Sequence, residues 1–249
     1  MAGELTPRHV TARHDSERRW SFWTNLLDLV LPAECAGCER VGGAEVREGL
    51  CRTCAFVLSG RSIAVSPVRR PRGLPRVQAL APYRDPMPDI IVAQKDRNRL
   101  DLARPLGRYL ARAVLAAADD EPSLWLVPAP SSGASVRRRG QDHVRRMACV
   151  AAAELRTLGR TANVLPALRH CQRVSDQVGL THLERAANLR GALTVRSAAV
   201  RRLALRPIVL VDDVMTSGST LAEAARALRV AGGRPIGAAV LAATRFRDR

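Results

Sequence analysis

The sequence predicts an α/β fold, a parallel sheet covered by helices on both faces, preceded by a small unit tied together through cysteines. Two observations carry this expectation. Four apolar runs, "VQALAPY" (77–83), "LWLVPAP" (124–130), "PIVLVDD" (207–213) and "IGAAVLAAT" (236–244), are separated by segments of helical periodicity. Strands buried on both faces read as continuous apolar runs, and alternation with helices is the mark of a parallel sheet. Ahead of them stand two Cys-x2-Cys pairs, Cys35/Cys38 and Cys51/Cys54, twelve residues apart. With 249 residues, 47% of them apolar, the chain is long enough for one sizeable domain with an appendage.

Taken in order, residues 1–19 read as disordered, and the spacing of Trp20, Trp23, Leu27 and Val30 predicts a short amphipathic helix ending at Pro32. This helix and the cysteine pairs form one unit over 20–60, a Pro/Arg-rich stretch over 61–76 reads as a linker, and 77–249 forms the α/β domain. Within it, Leu102, Leu106, Tyr109, Leu110, Ala113, Val114 and Ala117 define one face of a helix over 101–118. A second helix is predicted over 143–158, a weaker strand and loop region over 163–182, and a short helix near 182–189. A helix over 219–231 is closed by Gly232-Gly233. No internal repeat is evident.

Forty basic residues against 23 acidic ones give a formal net charge of +17, and Lys95 is the single lysine. Such an excess suits an anionic partner (nucleic acid, an acidic protein or a phosphorylated small molecule), or it is solubilising charge. The basic clusters at 61–76, 137–146 and 196–206 are dispersed, and aromatics at 3% argue against a stacking platform for single strands. No run approaches the ~20 apolar residues of a membrane span. The N-terminal stretch has acidic residues and lacks the apolar core of a secretory leader, so a cytoplasmic location without membrane contact is expected.

Two Cys-x2-Cys knuckles at this separation match a four-cysteine zinc ribbon. There each turn supplies two thiolates, and structural Zn2+ replaces a core too small to form alone. Disulfides are disfavoured in the cytoplasm, and one redox pair would not explain a second. Cys149 and Cys171 have no such spacing and read as buried thiols. The five histidines show no paired metal spacing, and His143 reads as a helix N-terminal or surface residue.

The run "IVLVDDVMTSGST" (208–220) carries most of the chemistry. In an open parallel sheet, ligands bind at the carboxyl ends of strands, where Asp212 and Asp213 are expected. Gly218 allows a tight turn, the amides of 216–220 fall at a helix start suited to phosphate, and Thr220 with Glu223 fits a capping box. Neither GxxxxGK[ST] nor a GxGxxG after a strand is present. An acidic pair beside a monophosphate cradle suits a sugar phosphate. In isolation, each half also reads as a turn with an N-cap.

The run resembles the phosphoribosyl pyrophosphate (PRPP) motif of type I phosphoribosyltransferases. That resemblance implies that Asp212 and Asp213 hold the ribose hydroxyls, with Mg2+ accompanying PRPP. It also implies that Thr216, Ser217, Gly218, Ser219 and Thr220 bind the 5′-phosphate, and that the loop "PAPSSGAS" (128–135), with Ser131, Ser132, Arg137 and Arg139, lies near the pyrophosphate. Together with the cysteine ribbon, the segments "WLVPAPSSGASVRRRGQDH" (125–143), "SDQVGLTHLERAANLRGAL" (175–193) and "IIVAQKDRNRLDLARPLG" (90–107) are similar to the ComF family, whose founding members are associated with DNA uptake. The chain departs from that family's pattern at Ala134 and Ser135, where basic residues are usual, at Gln141-Asp142-His143 and at Leu193. These departures weaken the pyrophosphate end of the pattern more than the ribose 5-phosphate end. Lys95, Arg97, Arg137 and Arg139 read either as ligand contacts or as a solvated basic face. Gln177 and Asn188 read as parts of a covering loop or of a turn.

Three functions are therefore compatible with the sequence. One is transfer of phosphoribosyl from PRPP to a base. Another is a non-enzymatic site for PRPP or a nucleotide, acting with a protein partner in DNA uptake. The third is direct nucleic-acid binding. A homodimer is compatible with each.

Overall fold

A computed structural model describes residues 34–41, 46–131, 137, 140–171 and 191–244. The expectations for 1–19, for the helix at Trp20–Val30 and for the helix near 182–189 lie outside these residues. The described chain forms β1 (Val46–Arg47), β2 (Leu50–Cys51), α1 (Arg52–Ser59), β3 (Ile63–Val65), β4 (Arg76–Pro82), α2 (Met87–Lys95) and, after a 3-10 turn at Leu100–Leu102, α3 (Ala103–Ala118). There follow β5 (Ser123–Pro128), α4 (His143–Thr157), β6 (Thr161–Val164), β7 (Leu168–His170), β8 (Leu193–Val195), α5 (Ser197–Leu203), β9 (Ile208–Met215), α6 (Ser219–Val230) and β10 (Pro235–Ala243).

Six strands make the central sheet in the order β3-β4-β10-β9-β5-β6. All neighbours pair in parallel except β3, which runs antiparallel to β4 along the edge. Ile63–Val65 lies within the stretch read as a linker, so part of that stretch is a strand of the sheet. Its pairing with Val77–Ala79 satisfies backbone groups that a free linker would leave to water.

Alternation along β9 explains why two cores form. Val209 and Val211 face one side and join Leu106, Leu110, Val144, Met147 and Leu155 of α3 and α4. Ile208 and Leu210 face the other and join Leu203, Leu221, Ala225 and Leu228 of α5 and α6. The expected face of α3 is the buried one, with Tyr109 at its half-buried margin. At Gly107 an added Cβ would come within 2.5 Å of Val150, so α3 approaches α4 more closely than any side chain would allow.

This topology places a site. From β5 the chain passes through α4 to β6 on one side, whereas from β9 it passes through α6 to β10 on the other, with the two helices on opposite faces. The strand order therefore reverses between β5 and β9, and the crevice at such a switch point, outside the carboxyl ends, is where open α/β sheets bind ligands.

The cysteine unit is no isolated bead. Cys35, Leu50, Cys51, Cys54 and Leu58 belong to the same buried cluster as Met87, Ile90 and Leu102. Ion pairs surround this contact: Arg97 with Glu39 at 3.1 Å, and Arg108 with Glu48 at 3.0 Å. Among the described residues, no helix is long and apolar enough to cross a membrane.

Candidate functional site

β9 runs beyond the expected end at 213, through both carboxylates to Met215. Asp213 continues the Val209–Val211 row and points at the face carrying α2 and α4. There His143 Nε2 lies 2.9 Å from Asp213 Oδ2, and Lys95 Nζ lies 3.8 Å from the same oxygen. The Val214 amide donates to Oδ1 at 2.7 Å. Asp213 is 7% exposed and His143 5%, so this contact is shielded from water. Burial alone would raise the Asp213 carboxyl, but the His143 hydrogen bond and the Lys95 charge outweigh it and hold the group below the usual carboxylate range.

Asp212 is the opposite case. Its Oδ1 accepts from the Asp213 amide at 2.9 Å, while burial and the adjacent Asp213 charge push its carboxyl well above the ordinary value. The pair is therefore split into one group held ionised and one that tends to keep its proton. Two hydroxyls could then be met by an acceptor and a donor side by side.

Past Met215, Thr216 is exposed and Ser217 half-buried. Gly218 has φ +74°, and a Cβ there would sit 3.0 Å from Leu74 Cδ2. Both facts require glycine at the residue that starts α6. The Ser217 hydroxyl donates to Ser219 Oγ at 2.9 Å. The capping box expected from Thr220 and Glu223 is not formed: Gly218 occupies the N-cap without a side-chain bond. Glu223 turns instead beneath β8, accepting from the Leu193 amide at 3.1 Å and from Arg226 Nε at 2.7 Å. Burial raises the Glu223 carboxyl, but Arg226 and the Leu193 amide bring it below its usual value. A left-handed residue at the helix start removes the geometry in which a Thr hydroxyl reaches back, and the exposed Arg226 claims the buried acid.

At the neighbouring strand, Ser131 and Arg137 line a cavity of about 720 Å3 beyond the end of β5. Ser132, Arg139, Gln177 and Asn188 lie outside the described residues. Of the basic residues on the segment 90–107, Lys95 joins the carboxylates, whereas Arg97 is drawn to Glu39 of the cysteine unit. His143 corrects the surface half of its expectation as a helix N-terminal or surface residue. It opens α4 as predicted, but its ring is buried against Asp213, and its Nδ1 has no partner among the described residues.

The four cysteines converge as their spacing predicts. The Sγ atoms of Cys35, Cys38, Cys51 and Cys54 all lie within 4.8 Å of one another, with Cys38 and Cys51 at 3.7 Å. Tetrahedral thiolates on a metal at about 2.3 Å stand about 3.8 Å apart, so the set can hold a metal ion. The amides of Gly37 and Cys51 point at Cys35 Sγ from 3.5 and 3.3 Å. Burial raises the Cys35 thiol, but these amides outweigh it and lower it to about 6. Burial and the neighbouring sulfurs raise Cys54. The remaining thiols depart from expectation: Cys149 is exposed and Cys171 half-buried, because Cys149 falls on the outer face of α4 and Cys171 follows the end of β7, a strand of a separate two-stranded sheet.

The family model for the phosphoribosyl transferase domain matches residues 175–248, which take in β8, β9, α6 and β10 with the whole acid-and-hydroxyl run. No curated protein matches the chain. The class defined by the fold, the site and this match is thus an α/β protein with a phosphoribosyltransferase domain at its C-terminal side and a four-cysteine cluster at the other.

Proposed function

We propose that the chain binds PRPP with Mg2+ across the carboxyl ends of β5 and β9 and transfers its phosphoribosyl group to a nitrogen base. The observation that carries this reading is the junction of an acidic pair with a glycine-started helix at the switch point, within the segment matched as a phosphoribosyl transferase domain. In this reading Asp212 and Asp213 take the ribose hydroxyls, and the amides and hydroxyls of Thr216–Thr220 take the 5′-phosphate, which the start of α6 favours through its unpaired N–H groups and dipole. Ser131 and Arg137 then contact the pyrophosphate. Mg2+, carried with PRPP, would be accommodated beside the carboxylate pair and neutralise charge on the leaving group.

Displacement at C1 passes through an oxocarbenium-like transition state and needs no protein nucleophile. What it needs is orientation, exclusion of water, and fixed charge beside the ring. Asp213, held ionised by His143 and Lys95, supplies that charge without reorganising. The tetrathiolate set suits structural Zn2+, which would fasten the cysteine unit to α2 and α3. The whole arrangement, ribbon before transferase domain, is the one expected of a ComF-like protein.

Pyrophosphate release from PRPP, followed with a panel of bases, tests the transfer step. Release that depends on one added base supports transfer. Tight PRPP binding with no release under any base supports the second reading, a ligand-sensing site that acts with a partner, which the Ala134 and Ser135 departures favour.

A further inference from the structure

α3 and α4 lie close together because Gly107 admits Val150, and the valley between their outer faces is a groove of about 770 Å3. Its floor is apolar and mostly small: Leu100, Ala103, Cys149, Val150 and Ala153. Leu100 is 40% exposed, and Cys149 and Ala153 are exposed as well, so nothing among the described residues covers this floor. The rim is basic, with Arg104, Arg108, Arg145 and Arg146 against Asp142 and Glu154, and Asp142 is engaged as the cap of α4. A valley between two packed helices is the shape into which the side-chain ridge of a third helix fits. Along α4 it extends from Asp142 to Thr157, about 22 Å at the rise of a helix.

The chain itself supplies an occupant. Residues 20–33, which lie outside the described residues, are mostly apolar, contain two of the three tryptophans and carry one charge, Asp28. Left in water, so apolar a stretch would be a contiguous exposed patch of the kind that soluble proteins cover. The row Trp20, Trp23, Leu27 and Val30 spans about 15 Å at helical rise, which the groove accommodates. The tether fits as well. Glu34 has its carbonyl bonded by Arg99 Nη1 at 3.1 Å, and Arg99 directly precedes Leu100 of the groove floor. From Val30 to Glu34 the backbone reaches up to about 13 Å. We propose that residues 20–30 seat their apolar row in the α3–α4 groove of their own chain, with the two indoles over Ala103, Cys149 and Ala153 and with Asp28 toward the arginine rim. Small floor residues leave room for indoles, each of which buries roughly 150–250 Å2, and the one charge of the segment has the sign this rim accepts. The seat uses neither the carboxylate pair nor the hydroxyl run, so it stands or falls apart from the PRPP reading.

The test is amide hydrogen exchange together with alkylation by iodoacetamide, both read by mass spectrometry on the full chain. It compares the unaltered protein with an Ala153→Arg variant, which fills the groove, and a Trp20→Ser/Trp23→Ser variant, which strips the segment. Ala153 is exposed on a helix, where Arg is well tolerated, and melting curves verify that both variants are folded. In the unaltered protein, amides within 20–30 are expected to exchange at least about tenfold more slowly than in an unstructured peptide, and to lose that protection in Ala153→Arg. Cys149 is expected to be alkylated at least about tenfold faster in the tryptophan variant than in the unaltered protein. No protection over 20–30, protection that survives Ala153→Arg, or equal alkylation of Cys149 with and without the tryptophans overturns the proposal. Protection that fades on dilution through the micromolar range also overturns it, by placing the segment on a second copy. Should Ala153→Arg fail to fold, alkylation in the tryptophan variant decides alone.

Discussion

Replacing His143 with Leu removes the 2.9 Å partner of a carboxylate that is 7% exposed and keeps most of the buried volume. A hydrogen bond to a charged group contributes roughly 1.5–3 kcal/mol. The Val214 amide still serves Oδ1, but the partner left to Oδ2, Lys95, is 3.8 Å away with a side chain 39% exposed, so solvent screens it and it compensates little. The loss expected at pH 7 is therefore about 2–3 kcal/mol, or roughly 4–12 °C in melting temperature for a chain of this size. The sign with pH follows from Asp213, whose folded-state pKa lies below its unfolded value. Its contribution is complete above the unfolded carboxylate range and disappears as pH falls through the folded value. Urea unfolding of both proteins from pH 7 downward should show a constant deficit that shrinks only in the acid range. A neutral substitution, or a deficit that persists unchanged into acid, would refute the view that His143 acts by holding Asp213 ionised.

Asp212 works in the other sense. Its folded pKa is raised, so it favours the folded state below the unfolded value and this is lost as pH rises; Asp212→Asn should raise the melting temperature at pH 8 and weaken PRPP binding, as thermal scans and titration would show. Gly218→Ala forces a left-handed alanine against Leu74, costing about 1–2 kcal/mol in denaturant unfolding and lowering PRPP affinity about tenfold. Because the cysteines share a buried cluster with α2 and α3, Cys54→Ser should abolish bound metal in elemental analysis and lower the melting temperature of the whole chain. Glu48→Gln, by contrast, touches only exposed pairs with Arg104 and Arg108 and should shift melting by less than about 3 °C.

The strands and helices were legible because burial on both faces leaves unbroken apolar runs, and the four cysteines because a tetrahedral metal site imposes spacing. The acid-and-hydroxyl run was legible for a similar reason: strand, carboxylates and helix start are consecutive in the chain. What the sequence could not convey is pairing at long range. That β9 lies beside β5 brings the first residue of α4 onto Asp213, and nothing local to "GQDH" announces a buried histidine 70 residues from its partner. The capping box failed because Glu223 had a stronger offer from Arg226 and the Leu193 amide, again a tertiary matter. Arg97 and Lys95 look equivalent in sequence, yet the packing of the cysteine unit takes one and the sheet takes the other. Cys149 followed its helix outward, since its position on α4 lies off the stripe of Val144, Met147, Ala148 and Ala151.

The measurement that bears most directly on the central claim is calorimetric titration of PRPP with Mg2+ into the metal-loaded protein and into its Asp212→Asn/Asp213→Asn variant, with circular dichroism to verify that the variant is folded. Saturable binding to the unaltered protein, lost in the folded variant, is the predicted result. Absence of binding to the unaltered protein, or equal binding to both, would contradict the assignment of the site at the end of β9.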